Sequence, residues 1–274
     1  MQTSKQVINA FLVLLIIVSS CKEPAPVVEP VLILRTNSIK VKALDDIVVI
    51  DSVFVKPNLY SNVPSFEGLP VADSKAKFIG AVLPAVLVSK YRIGRMKGRA
   101  EELLDKAVWT ADDSIFFNAQ AERFKASDLQ DLIVRMQTHP NSIVLAQAAV
   151  ESGWGSSRFF QDANNVFGVW SYNEDEPRIE ANSHRWGDKI YLRAYEDISE
   201  SVTDYFETVG RTFAYDTFRT ARNNTQDIYQ LLPHLKYYSE RREEYVAQLT
   251  DMIQQNDFTK YDSCRIDPSY FEPL

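Results

Sequence analysis

Cysteine is scarce in this chain of 274 residues: only Cys21 and Cys264 are present. Two cysteines so far apart provide no disulfide framework. Cys264 has no histidine near it and reads as an inert thiol rather than a nucleophile. Histidine is scarce as well. His139, His184 and His234 are far apart and fit no ligand motif, so no metal and no cofactor are expected. No Gly-x-Ser-x-Gly motif appears, nor any glycine loop of the phosphate-binding kind. Positive charge is in deficit. A formal net charge of −7 argues against nucleic acid as a partner, and against capture of an anionic polymer by the global field. There are no internal repeats.

Apolar runs are short too, the first being residues 10–18 (AFLVLLIIV). That run is too short to span a bilayer comfortably. Lys5 precedes it, and Val18-Ser19-Ser20-Cys21 closes it. A positive n-region, an apolar run and small residues before a cysteine resemble the signal of a bacterial lipoprotein. Residues 1–20 are then a leader, and Cys21 carries lipid. The chain is expected in the bacterial cell envelope, anchored to a membrane, the outer one by preference.

Residues 21–72 read as a tether with short strands. Pro24, Pro26 and Pro30 space its first part, and Ile47–Ile50 and Val53–Val55 are β-like. Residues 73–274 are enough for one core and read mostly as helix. Phe78, Ile79, Val82, Leu83, Val86 and Leu87 recur at helical spacing, with Pro84 kinking or starting a segment. Ser127-x-x-Gln130 and Asp197-x-x-Glu200 look like helix starts, Ser142 like a cap, and Gly210 like a stop. Ser239–Gln255 reads as an amphipathic helix. Residues 171–189 are polar and turn-rich, and Lys189–Tyr195 alternates like a strand.

The densest chemistry lies in residues 145–170, LAQAAVESGWGSSRFFQDANNVFGVW. A helix of small and apolar residues ends in one acid, Glu151, and Ser152-Gly153-Trp154-Gly155 follows at once. Burying a carboxylate without a partner is costly and raises its pKa. A carboxyl group so raised suits a general acid near neutral pH.

Ala146-Gln147-Ala148-Ala149-Val150-Glu151-Ser152-Gly153-Trp154-Gly155, followed by Asn164-Asn165-Val166-Phe167-Gly168, closely resembles the signature of the glucosaminidases of glycoside hydrolase family 73, in their Bax-like branch. Looser similarity runs from about Lys77 to Arg219. The resemblance implies an α+β, mainly helical, lysozyme-like domain with a small β-hairpin beside the catalytic helix. It implies an endo-β-N-acetylglucosaminidase acting on β-1,4 bonds of peptidoglycan glycan strands, with Glu151 as general acid. A second carboxylate is expected on the hairpin, among Glu174, Asp175, Glu176, Glu180 and Asp188, with Glu180 ahead of Glu176. Tyr215 falls where the family has a tyrosine facing the cleft. Trp154, Asn165, Phe167 and Trp170 are the candidates for sugar contacts, while Asn164 and Asn165 also shape the turn. Retaining, inverting and substrate-assisted routes stay open at this point. So do a lytic transglycosylase, a non-catalytic wall-binding lipoprotein, and a host glycan as substrate.

Overall fold

The computed structural model describes residues 32–185 and 188–274, with the side chains of 182–188 left out. The leader, Cys21 and the side chains of His184 and Asp188 lie outside the described residues. In chain order, the short strands β1 (Leu32–Leu34), β2 (Asn37–Lys40), β3 (Phe54–Val55) and β4 (Asn58–Ser61) come first. They pack on the helices. Val41, Ile47, Val55, Leu59, Tyr60, Val63 and Phe66 are buried in the same core as the helices. Each such side chain contributes about 1.5–3 kcal/mol on burial. That holds most of the segment expected to be linker against the main domain.

The molecule is built around α1 (Val71–Leu104), a helix of 34 residues that is buried without interruption from Phe78 to Ser89. Pro84 does not start it: the helix runs on through the proline. A proline inside a helix lacks an N–H and crowds the carbonyl four residues back, here that of Gly80. The N-terminal segment packs on this turn. Val48 and Pro84 line one shallow depression, and the Val48 carbonyl occupies the space a Gly80 Cβ would need.

Next come α2 (Ala111–Phe124), α3 (Leu129–Arg135), α4 (Asn141–Ser152) and α5 (Arg158–Ala163). The start of α3 is one residue from its expected place: Asp128 accepts the Asp131 amide at 2.8 Å. Helix α4 also starts differently. Pro140 stands at its N-cap position, and the remote Asp262 accepts the Ser142 amide (2.7 Å) and hydroxyl (2.8 Å). Ser142 is therefore capped from outside instead of capping.

Strands β5 (Trp170–Ser171), β6 (Arg178–Arg185) and β7 (Asp188–Arg193) form an antiparallel sheet in the order β5-β7-β6. Helix α6 (Ile198–Arg211) follows, opened as expected by Asp197, which accepts the Ser199 amide at 2.6 Å. It runs through Gly210, where the Arg135 carbonyl and the Phe124 ring close on the helix surface. Short helices α7 (Asp216–Asn224) and α8 (Ile228–Leu231) lead to a 3-10 stretch, Leu232–Tyr238, and then to α9 (Glu243–Gln255), shorter than the expected helix. The chain ends in β8 (Arg265–Ile266), parallel to β3, and β9 (Phe271–Pro273), antiparallel to β1. Both ends of the described chain are thus tied together against α1, where Tyr91 packs on Phe271 and Arg95 donates to the Leu32 carbonyl. Cys264 is a free thiol, pushed up by burial, consistent with an inert role. The mainly helical α+β class expected from the sequence is the one the chain adopts.

Candidate active site

Helix α4 is buried on nearly every side from Asn141 to Ala149, and Glu151 stands in its last turn, half-buried. The chain then turns away sharply. Gly153, Trp154 and Gly155 all have left-handed backbone angles (φ of 57°, 56° and 79°). Ser152 staples the turn, its hydroxyl donating to the Ala148 carbonyl and accepting the Gly155 amide at 3.0 Å. A Cβ at Gly155 would meet the Phe66 ring at 2.8 Å. Shape and φ together require glycine there.

The Glu151 carboxyl faces a group of tyrosines. Tyr245, from α9, donates to Glu151 Oε1 at 2.8 Å. Tyr238 stacks on Tyr245 with ring centroids 5.5 Å apart and planes within 3°. Tyr215 lies against Tyr238 at 5.8 Å. Burial pushes the Glu151 carboxyl above the usual glutamate value; the Tyr245 hydrogen bond and the exposed Arg241 oppose this in part. The partial negative charge of the α4 C-terminus acts in the same direction as burial. Tyr215 is pushed up to about 12, by burial first and then by the Glu151 charge. It therefore stays a neutral phenol near the acid.

The hairpin acids separate into distinct environments. Glu176 pairs with Arg193 at 3.2 Å, and Arg193 also binds the buried Asp204 at 2.7 Å. Asp204 further accepts from Tyr195 (2.7 Å) and Arg211 (2.9 Å). Glu176 is thus part of an ionic network that ties the hairpin to α6. Glu180 pairs with Lys189 on the neighbouring strand at 3.0 Å, and both side chains are substantially exposed. Its backbone carbonyl accepts from Arg158, at the start of α5, which holds this part of β6 beside the loop that follows Glu151. Glu174 is mostly exposed and pairs with Arg178 at 3.3 Å. The side chain of Asp188 lies outside the described residues.

Three of the four candidates for sugar contact are turned inward. Asn165 uses its whole side chain in the turn: it donates to Val169 O and Arg193 O and accepts the Val169 amide. Phe167 is buried and stacks on Tyr205 at 4.2 Å. Trp154 packs between Phe78 and Phe258 with Lys75 over its ring. Trp170 is the most exposed of the four, at 37 %, next to Tyr172 at 84 %.

Four residues beyond the sequence reading join the site. Gln147, one helical turn before Glu151, donates to Tyr245 at 3.1 Å and accepts from Tyr205 at 2.6 Å. Tyr205 meets His139 Nε2 at 2.8 Å. The signal available for Gln147 was its i, i+4 spacing from Glu151 on an otherwise apolar helix. A separate cavity of about 460 Å3, lined by Arg92, Arg123, Arg193, Asp204 and Glu207 among others, includes neither Glu151 nor these four residues. Two of its acids, Asp204 and Glu207, are paired with Arg193 and Arg123.

Residues 126–258 match the family described as Glucosaminidase, mannosyl-glycoprotein endo-beta-N-acetylglucosaminidase. The matched stretch runs from the loop before α3 to just past the end of α9, a little under half of the chain. The chain is 23 % identical to Protein bax of Escherichia coli K12 over 211 residues, 72 % of this chain and 75 % of that protein. It is 30 % identical to the peptidoglycan hydrolase FlgJ of Escherichia coli K12 over 166 residues, 56 % of this chain. It spans about half of FlgJ (52 %). Among solved structures, the glycoside hydrolase domain of Salmonella typhimurium FlgJ aligns at 26 % identity with a TM-score of 0.37, covering 52 % of this chain and 90 % of that one.

The raised Glu151 value has a consequence for stability. The folded state holds this proton more tightly than the unfolded chain does. Stability is therefore fully present below the ordinary carboxylate range and falls as pH rises through the window up to the raised value. Glu151→Gln, which cannot ionise, is expected to melt higher than the unsubstituted protein at pH 8, with the difference vanishing towards pH 4. Thermal unfolding at both pH values checks this. An equal or lower midpoint for the variant at pH 8 contradicts it.

Proposed function

We propose that the chain is an endo-β-N-acetylglucosaminidase that hydrolyses β-1,4 bonds in peptidoglycan, with Glu151 as general acid in a lysozyme-like site. The observation that carries this reading is a half-buried carboxyl with a raised pKa, at the end of a buried helix, inside the matched glucosaminidase segment. A shift in this direction favours the protonated form that a general acid needs. In the reaction the bond from the sugar C1 to the bridging oxygen breaks, and Glu151 protonates the leaving oxygen. Water then adds to C1, and its proton returns to a carboxylate.

Glu180 is the second carboxylate in this reading. Its partner is an exposed lysine that an incoming sugar can displace, whereas Glu176 is committed to Arg193. Tyr215 orients the N-acetyl group, and Trp170 with Tyr172 offers an aromatic rim for a pyranose face. Leader and Cys21 together support attachment to an envelope membrane through lipid.

Mass spectrometry of peptidoglycan digested with the protein tests the reaction. Fragments ending in reducing N-acetylglucosamine are expected, and Glu151→Gln is expected to lower the rate by about 10²–10⁴-fold. Anhydro-sugar ends would instead make it a lytic transglycosylase, and no product a wall-binding scaffold. On the same substrate, Glu180→Gln is expected to cost far more than Glu174→Gln or Asp175→Asn. If all the hairpin acids prove replaceable within a few-fold, including Glu176 and Asp188, a substrate-assisted route with Tyr215 takes over. Cys21→Ser is expected to abolish incorporation of labelled fatty acid in cells; unchanged labelling and membrane retention rule the anchor out.

A further inference from the structure

His139, Tyr205, Gln147, Tyr245 and Glu151 form one unbroken chain of hydrogen bonds drawn from the α3–α4 loop, α6, α4 and α9. Each link except the last is buried. Gln147 gives the chain a direction, because its amide has one accepting and one donating end. The distances fix which end is which. The Tyr205–Gln147 contact of 2.6 Å suits O–H···O and is shorter than the ordinary N–H···O range; the 3.1 Å to Tyr245 suits N–H···O. Tyr205 therefore spends its only proton on Gln147 Oε1. Its oxygen must then accept from His139 Nε2–H. His139 is wholly buried and held neutral, its pKa far below the usual histidine value through burial, then through Arg222 and Lys90. It has one N–H, and its Nδ1 finds no hydrogen-bond partner among the described residues.

We propose that His139, Tyr205 and Gln147 are positioning residues that act through Tyr245: their one-way donor order commits the Tyr245 proton to Glu151 Oε1 and so confines the catalytic proton to Oε2. This rests on the reading of Glu151 as the acid. The logic lies at Tyr245. A phenol has one proton and two directions in which to give it. Because Gln147 presents its N–H to Tyr245, only Glu151 is left to receive that proton. If the amide turned over, its carbonyl would compete with the carboxylate for the same O–H. Upstream, Tyr205 and His139 hold the amide in place. The rings are locked as well: Tyr205 is stacked on Phe167, and Tyr245 on Tyr238.

Glu151 also faces other titratable and charged groups: Tyr205 on α6, Tyr215 after it, Tyr238 at the end of the 3-10 stretch and Arg241 before α9. The tyrosines remain neutral at working pH, since burial pushes each of them up. Arg241 is exposed and favours the ionised acid. None of these groups reports the direction of the relay. Substitution within the relay does.

The test is a titration of Glu151 by carbon-13 NMR in protein labelled at glutamate carboxyls, with Glu151→Gln identifying the signal. Tyr245→Phe keeps the stacked ring and removes the donor to the carboxylate; the midpoint is expected to rise by about one pH unit, a tenfold change. Tyr205→Phe removes no hydrogen bond to Glu151 or Tyr245, yet the midpoint is expected to rise in the same direction by less, because the Gln147 amide is freed to turn. A midpoint unchanged in Tyr205→Phe overturns the relay, whether or not Tyr245→Phe shifts it. Should Tyr205→Phe not fold, nitrogen-15 NMR of His139 in the unsubstituted protein decides: the neutral Nε2–H tautomer is expected, and an Nδ1–H or doubly protonated ring overturns the order. Neither readout needs turnover. Absence of glycan cleavage would refute the proposed function while leaving the relay tested. In an active enzyme, both phenylalanine variants are expected to move the basic limb of the kcat profile upward with little change in KM.

Discussion

The hydrogen bond from Tyr245 to Glu151 is the constraint on which the rest of the structure depends. It requires the end of α4 and the first turn of α9 to meet inside the protein. Helix α4 reaches that place only because it is packed on nearly all sides and anchored at its start. Asp262 caps it from the far end of the chain, and Lys90 on α1 holds both the His139 carbonyl and Asn141. Burial of this helix makes the acid costly to ionise, and the tyrosine keeps that cost from becoming prohibitive.

A second set of forces holds the wall around the acid. Asp204 is the centre of this set. It joins Arg193 at the end of the hairpin to Arg211 at the end of α6, with the Tyr195 hydroxyl filling its remaining reach. Removing one partner from so buried a cluster leaves an uncompensated charge, which is why such groups act as all-or-none fasteners. Asn164 does related work with neutral bonds. It accepts the Asn62 amide and donates to the Tyr195 and Glu196 carbonyls, linking the N-terminal strands to the exit of the hairpin. The charged network and the buried tyrosine relay use opposite faces of α6: Asp204 and Glu207 on one, Tyr205 and Phe206 on the other.

Much of this was legible in the sequence where the signal was local. Glu151 announced itself as an acid closing an apolar helix, Asp197 as a cap, and the 189–195 alternation as a strand. What was not legible depended on distant partners. Tyr245 looked like one more apolar position on an amphipathic helix, and nothing in its neighbourhood points to an acid 94 residues earlier. His139, a lone histidine before a proline, gave no metal motif and so no role. Pro84 goes against the local rule that keeps proline out of helix interiors, but packing of the 47–48 segment beside it and the burial of the whole turn outweigh the lost bond. Asn165 and Phe167 lie within a motif read for sugar contact, and the chain turns both inward because the loop after α5 needs its own hydrogen bonds and core.

In the proposed reaction Glu151 supplies the proton to the leaving group. Aryl glycosides of an N-acetylglucosamine oligosaccharide, graded in leaving-group acidity, test it directly. A leaving group that departs readily needs no proton, while a poor one does. The account requires the rate loss of Glu151→Gln to be large for the poorest leaving groups and to shrink towards unity for the most acidic. The same loss across the whole series would contradict it and would assign Glu151 to something other than acid catalysis.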